Sequence, residues 1–244
     1  SYRRLLDGMS VNIGGRAWRC IAGYGHAPEH MALQCDELKL LISGDMVLPR
    51  ISTNVSVYDL EPEADSLTLY LDSLGAFEPL PQDTLVLPSH GKPFTGLHSR
   101  IRQLRDHHGE RLADVMTACH AKPCHAAELL PLLFKRPLDL HQTTFAMGEA
   151  VAHLHALWHG GSLLRTRGGD GVWRFMEKLC HIIRRFQVPF GIGFEKTARL
   201  VQCHMPANAG DDVLQFAPPG HVIENIVGGE QRHDRREDQR RHRG

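Results

Sequence analysis

Three short strings carry the side chains best suited to chemistry in this chain: Gly25-His26-Ala27-Pro28-Glu29-His30, Ser43-Gly44-Asp45 and Pro88-Ser89-His90-Gly91. Each sets an imidazole or a carboxylate beside small residues or a turn, at the end of an apolar run. Imidazole nitrogen and carboxylate oxygen are the donors that Zn²⁺ and related divalent ions take. His26, Asp45 and His90 are 19 and 45 residues apart, too far for chain spacing alone to unite them. A carboxylate directly after Leu40-Leu41-Ile42 is costly to bury unless it is paired or metal-bound. The alternative for Asp45 is a turn or helix cap. An isolated pair such as His26 and His30 is more often structural than metal-binding, and His90 alone reads as a loop histidine.

The elements that must deliver these groups are legible around them. Residues 11–22 read as a hairpin turning at Gly14-Gly15. Residues 31–35 and 38–43 make a second strand pair, residues 66–74 a helix and residues 84–87 a strand. Strands in pairs with helices packed on them suit an α/β layer. The stretch from Val47 to Glu63 is loop-rich, and loops at strand ends commonly line pockets. Arg50 and Asn54 are its polar groups with a candidate role in a substrate pocket. After Gly96 the apolar spacing becomes helical, with Ile101, Leu104, Leu112, Val115 and Cys119 on one face. Helices follow over 126–134 and 145–158, then a hairpin around Gly168-Gly169-Asp170-Gly171.

Taken together and in this order, the three strings resemble the second half of the metallo-β-lactamase-fold hydrolases, over roughly residues 5–98. The resemblance implies an α/β (α+β) fold: the C-terminal part of an αββα sandwich, residues 1–98, then a small winged-helix-like domain, residues 99–175. It implies that His26 binds one metal, Asp45 bridges two, and His90 binds the second, with His30 supporting the site by hydrogen bonding. It implies zinc, two ions per site in the intact family, and a metal-activated water attacking a thioester, lactone, lactam or related ester. A β-lactamase-like ribonuclease and a non-catalytic module binding nucleic acid or protein are the rival readings.

The family's His-x-His-x-Asp-His motif is absent from this sequence. The chain is therefore expected to be the C-terminal portion of a longer protein, to bind metal weakly or partially, and to be catalytically incomplete alone. His153-Leu154-His155 does not replace the motif, because Leu157 stands where Asp is needed. Two residues apart on a helix is also ~200° around it. That segment reads as a surface or core-edge helix. His107, His108 and Arg111 read as cover for the domain junction.

Composition sets the outer limits. Formal net charge is zero, with 7 Lys+Arg against 12 Asp+Glu in residues 1–98 and 10 against 7 in residues 99–175. That excess is too small to argue nucleic-acid binding, although Arg165, Arg167 and Arg174 flank the expected hairpin. The six cysteines form no Cys-x-x-Cys pair and read as reduced cytosolic thiols. No apolar run is long enough for a membrane span. Half a sandwich would expose apolar sheet, so self-association is expected. Residues 176–244 carry no recognisable motif, and 230–244, lacking anything to bury, are expected to be disordered.

Overall fold

Five strands build one sheet. A computed structural model describes residues 2–178; the expectations for 179–244 fall outside them. The strands are β1 (Ser10–Ile13), β2 (Arg16–Gly23), β3 (His30–Cys35), β4 (Leu40–Gly44) and β5 (Leu85–Pro88). They lie in the order β1-β2-β3-β4-β5. The first four are antiparallel neighbours, whereas β5 joins β4 in parallel.

One sheet face carries Ile21, Ala32, Leu41 and Val86, all buried. Against it pack Leu67 and Tyr70 of α1 (Ser66–Ser73), Leu74 and Phe77 of the following 3₁₀ turn, and Leu97, Ile101 and Leu104 of α2 (Leu97–Ala121). Fully burying a leucine contributes about 2 kcal/mol, so this layer is the main source of cohesion around the strands. On the opposite face, Ile42 and Leu85 remain 38% and 36% exposed.

The helix α2 has 25 residues, roughly 37 Å at 1.5 Å per residue, and reaches a second core. There Val115 and Cys119 meet Leu129 of α3 (Ala126–Leu133), Leu154 of α4 (Leu140–His159) and Phe175 of a hairpin, β6 (Leu163–Arg167) and β7 (Trp173–Glu177). Three helices followed by a two-stranded hairpin is the order the sequence predicts. The long helix thus serves both cores, since Ile101 and Leu104 belong to the first.

Two differences from the sequence reading have physical causes. Helix α4 begins at Leu140, not Phe145, because Asp139 caps it by accepting the Gln142 amide at 2.8 Å. Its first turn is largely exposed and therefore carries no apolar signal. His153 and His155 are not on a surface or core edge but buried, at 1% and 3% exposure. Among the described residues the cysteines are free and buried, and no helix is long and apolar enough to cross a membrane.

Candidate functional site

The parallel pair β4–β5 delivers the carboxylate and one imidazole to the same end of the sheet. Its register runs Ile42 to Leu87 and then Gly44 to Pro88, so Ser43 is an extra residue on β4. This bulge brings Asp45 beside Ser89, whose hydroxyl donates to Asp45 Oδ1 at 2.5 Å and whose amide donates to the Gly44 carbonyl at 3.2 Å. Gly44 has φ +53°, and a Cβ there would lie 2.3 Å from His30 Nε2. Only glycine lets the strand turn while the His30 ring stays against it.

The turn after β4 is fastened through its main chain. The Asp45 amide donates to His30 Nε2 at 3.3 Å. The Thr53 hydroxyl donates to the Asp45 carbonyl. Tyr70, fully buried, donates to the Met46 carbonyl at 3.1 Å. Arg100 of α2 donates to the carbonyls of Leu48 and Ile51 at 2.6 and 2.8 Å. Burial pushes the Arg100 guanidinium below its ordinary pKa, but two carbonyl acceptors compensate it within hydrogen-bond reach.

Three of the sequence-derived residues meet here. His26 Nε2 lies 3.5 Å from Asp45 Oδ2, and His90 Nε2 lies 3.5 Å from Asp45 Oδ1. The carboxylate is therefore straddled, one imidazole to each oxygen. His26 Nδ1 is 2.8 Å from the carbonyl of Asn54. A carbonyl only accepts, so Nδ1 carries a proton and Nε2 faces the carboxylate side. This is how ligating histidines are commonly oriented from behind. His90 is the most exposed of the three, at 68%, against 26% and 28% for His26 and Asp45.

His30 stands behind the carboxylate rather than beside it. Burial, with help from neighbouring His26, lowers its pKa, so the ring is neutral and accepts from the Asp45 amide. Asn54 acts on His26 through its main chain, while its side chain accepts from Ser56 at 2.8 Å. Arg50 is exposed on the loop after the turn. A shallow cleft of about 110 Å³ lies beside His26, lined by Tyr24, Ser56, Tyr58, Glu61 and Leu69 among others.

The remaining sequence candidates lie elsewhere. His153 and His155 diverge: His153 packs on His108 of α2 with 3.3 Å between ring nitrogens, and His155 donates to the Ala64 carbonyl at 3.0 Å. His159 donates to the Glu63 carbonyl at 2.9 Å. Ser89, Thr53, Tyr70 and Arg100 escaped the sequence reading. Ser89 was findable, because it adjoins His90; the others act through main-chain carbonyls that no side-chain pattern announces.

Two imidazoles and a carboxylate are the donor chemistry of a divalent-ion site, and His26 is already oriented for it. The residues fit a carboxylate shared between two positions, each with one imidazole. Among the described residues, no group of three or more His, Cys, Asp or Glu is arranged to hold a metal ion. Zinc normally takes about four ligands, so three donors leave both positions open.

Comparisons with known proteins agree in two segments. Residues 1–90 match the model of the metallo-beta-lactamase superfamily, and residues 112–178 that of the metallo-beta-lactamase-like, C-terminal domain. The chain is 27% identical over 163 residues to the probable metallo-hydrolase YqjP of Bacillus subtilis, covering 64% of this chain and 49% of that protein. It is 27% identical over 118 residues to an atrochrysone carboxyl ACP thioesterase of Aspergillus fumigatus, covering 48% of this chain and 34% of that protein. Among solved structures, a beta-lactamase domain protein from Burkholderia ambifaria is 59% identical, with a TM-score of 0.71 over 73% of this chain and 53% of that one. The chain thus spans half or less of the length of the curated relatives it matches.

Proposed function

The chain belongs to the metallo-beta-lactamase superfamily, and from that premise we propose that its strand-end cluster is part of a zinc-dependent hydrolytic centre. The carrying observation is the Asp45 carboxylate with one histidine Nε2 at each oxygen. His26 and Asp45 would hold one ion, and Asp45 and His90 the other. A bound ion of this kind supplies a water acidified toward hydroxide near neutral pH and polarises the bond to be cleaved.

The protein's own residues prepare that chemistry. Asn54 fixes the His26 tautomer, and His30 and Ser89 hold Asp45 from its amide and from Oδ1. Tyr24, Tyr58 and Leu69 offer apolar surface beside His26 for the acyl part of a substrate. We assign a thioester or related ester as the substrate class, in keeping with the thioesterase and metallo-hydrolase among its relatives. Nucleic acid is a weaker fit, because the hairpin arginines Arg165 and Arg174 are engaged by Glu63 and Asp170.

The test is a cobalt(II) titration followed by visible absorption. The chain should bind with an affinity well below that of a closed four-ligand site, and Asp45→Ala should abolish the signal. Equal spectra from the two proteins would overturn the assignment. With zinc added, hydrolysis of a model acyl thioester above the rate of zinc alone, lost in His26→Ala, supports the substrate class. Turnover of a phosphodiester instead would replace it with the ribonuclease reading.

A further inference from the structure

The cleft beside His26 has two walls of different build. One is the chain around His26 itself; the other is the segment that precedes α1, through Ser56, Tyr58, Glu61 and Ala64. Residues 58–63 are all exposed, so this second wall has no buried side chain of its own to fix its course. Its turn bonds, from the Glu61 amide to the Tyr58 carbonyl and from the Ala64 amide to the Glu61 carbonyl, hold it only to itself. Among the described residues, the bonds that tie it down come from the helical region. The Val57 amide donates to the Gly148 carbonyl of α4 at 3.2 Å. Further along the same helix, His155 donates to the Ala64 carbonyl at 3.0 Å and His159 to the Glu63 carbonyl at 2.9 Å. Arg165 of β6 then donates to the Glu63 carboxylate at 2.6 Å. Its guanidinium lies over the rings of both Trp158 and Trp173, 3.7 and 4.4 Å from their centroids, and its side chain is only 12% exposed.

We propose that Arg165, acting with His155 and His159, is a specificity-determining positioning residue: it holds the wall from Tyr58 to Ala64 where the cleft can grip an acyl chain longer than acetyl. The inference rests on reading the cleft as the acyl pocket of a thioester hydrolase, and it adds that the helical region sets which chains fit. An exposed ion pair usually contributes little, because ordering two long side chains offsets the attraction. Here the arginine is already ordered by two indoles, so its planar fork meets the Glu63 carboxylate with less freedom left to lose. A loop that buries nothing keeps one course only while bonds of this kind hold it. Without them the wall loosens, and the far methylenes of an acyl chain lose their contact with it. An acetyl group lodged next to His26 does not reach that wall.

The experiment uses the full chain, treated with chelator and labelled with 3-fluorotyrosine. The tyrosines are Tyr2, Tyr24, Tyr58 and Tyr70, so ¹⁹F NMR reads the two walls of the cleft in Tyr24 and Tyr58 and the core in buried Tyr70. Arg165→Ala should move the Tyr58 line toward its position in the unfolded chain and leave Tyr70 in place. Glu63 and His159 are exposed, so Glu63→Ala combined with His159→Ala removes two of the same bonds with little risk to folding, and should move Tyr58 at least as far. Glu63→Gln still accepts from Arg165 and should keep the wild-type line. The probes are the S-hexanoyl and S-acetyl thioesters of N-acetylcysteamine. The double variant should bind the hexanoyl ester about tenfold more weakly, the loss for roughly two methylenes returned to water, with acetyl ester affinity unchanged. An unmoved Tyr58 line in the double variant, or equal losses for the two esters, overturns the proposal. Hexanoyl binding that survives the double substitution also overturns it, and leaves the acyl pocket standing. A wild type that binds neither ester sinks the acyl pocket and the chain-length claim with it, while a Tyr58 line that still answers to the variants upholds the clamp.

Discussion

Histidines do opposite work in two regions of this molecule. At the strand ends, His26 and His90 are part-exposed to exposed, with Nε2 turned to a carboxylate. Between α2 and α4, His108 and His153 are dry, at 0% and 1% exposure, and bonded to each other. Burial drives the second pair down to about 3 and about 4, so both rings are neutral. His153 gives its Nδ1 proton to the Glu149 carbonyl at 2.8 Å, so its Nε2 accepts from His108. The same side chain is offered to a carboxylate in one place and is a buried core element in the other, where His108 Nε2 is left without a partner. What decides is whether the ring's second nitrogen faces water and a carboxylate or another ring.

The sharpest way to break that contrast is truncation. His153→Ala should cost about 2–4 kcal/mol of folding free energy, because it opens a cavity and strands a buried partner. His26→Ala should cost no more than about 1 kcal/mol, since part-exposed groups carry little stability. Urea unfolding measures both, and equal losses would erase the distinction.

Acid should expose the second region next. Below pH 6.5 an unfolded histidine binds a proton that folded His108 and His153 refuse until about 3 and 4. Their contribution is therefore whole above 6.5 and is lost as pH falls, by about 1.4 kcal/mol per pH unit for each fully unmatched proton. Glu149 runs against this: raised from 4.5 to about 7, it favours the folded state less as pH rises through that window. Acid loss should thus be muted above 4.5 and steeper below. Glu149→Gln should steepen the upper part in a pH series of urea melts.

Gly44→Ala probes the first region where it is most crowded. It combines a left-handed φ with a contact on the His30 ring, and should cost about 1–3 kcal/mol. It should also weaken cobalt binding, unlike His153→Ala at temperatures where that variant stays folded. The smallest effect belongs to the hairpin. Arg165 stacks between Trp158 and Trp173, at 3.7 and 4.4 Å from the ring centroids, and pairs with Glu63 at 2.6 Å. Arg165→Ala should cost about 1 kcal/mol and raise hydrogen exchange near Glu63 without touching the strand-end histidines.

The elements that pack by local pattern could be read directly. The Gly14-Gly15 hairpin, α1, and the face of α2 carrying Ile101, Leu104 and Val115 all follow from turn chemistry and apolar period. The convergence of His26, Asp45 and His90 was readable too, because each follows a strand in a string with specific surroundings. Three things were not. The parallel partnership of β4 and β5 joins residues far apart in the chain. The fastening of Asp45 and His26 runs through the carbonyls of Leu48, Ile51 and Asn54, and every residue has a carbonyl. The burial of His153 and His155 depends on acceptors supplied by Glu149 and Ala64, and nothing in the helix's own sequence discloses them.

One consequence of the extra residue at Ser43 concerns what can vary. The 40 residues between Gly44 and Leu85 leave the sheet and return to it, yet Asp45 and His90 meet through the ladder of β4 on β5. Insertions or deletions between residues 58 and 65, past the segment that fastens Asp45 and His26, should leave the Asp45 and His90 side chains in step. Shifting the bulge by a single position would instead send the carboxylate to the far side of the sheet. The meeting of Asp45 and His90 is written in strand pairing, so the stretch beyond residue 57 is free to change length while the two side chains stay together.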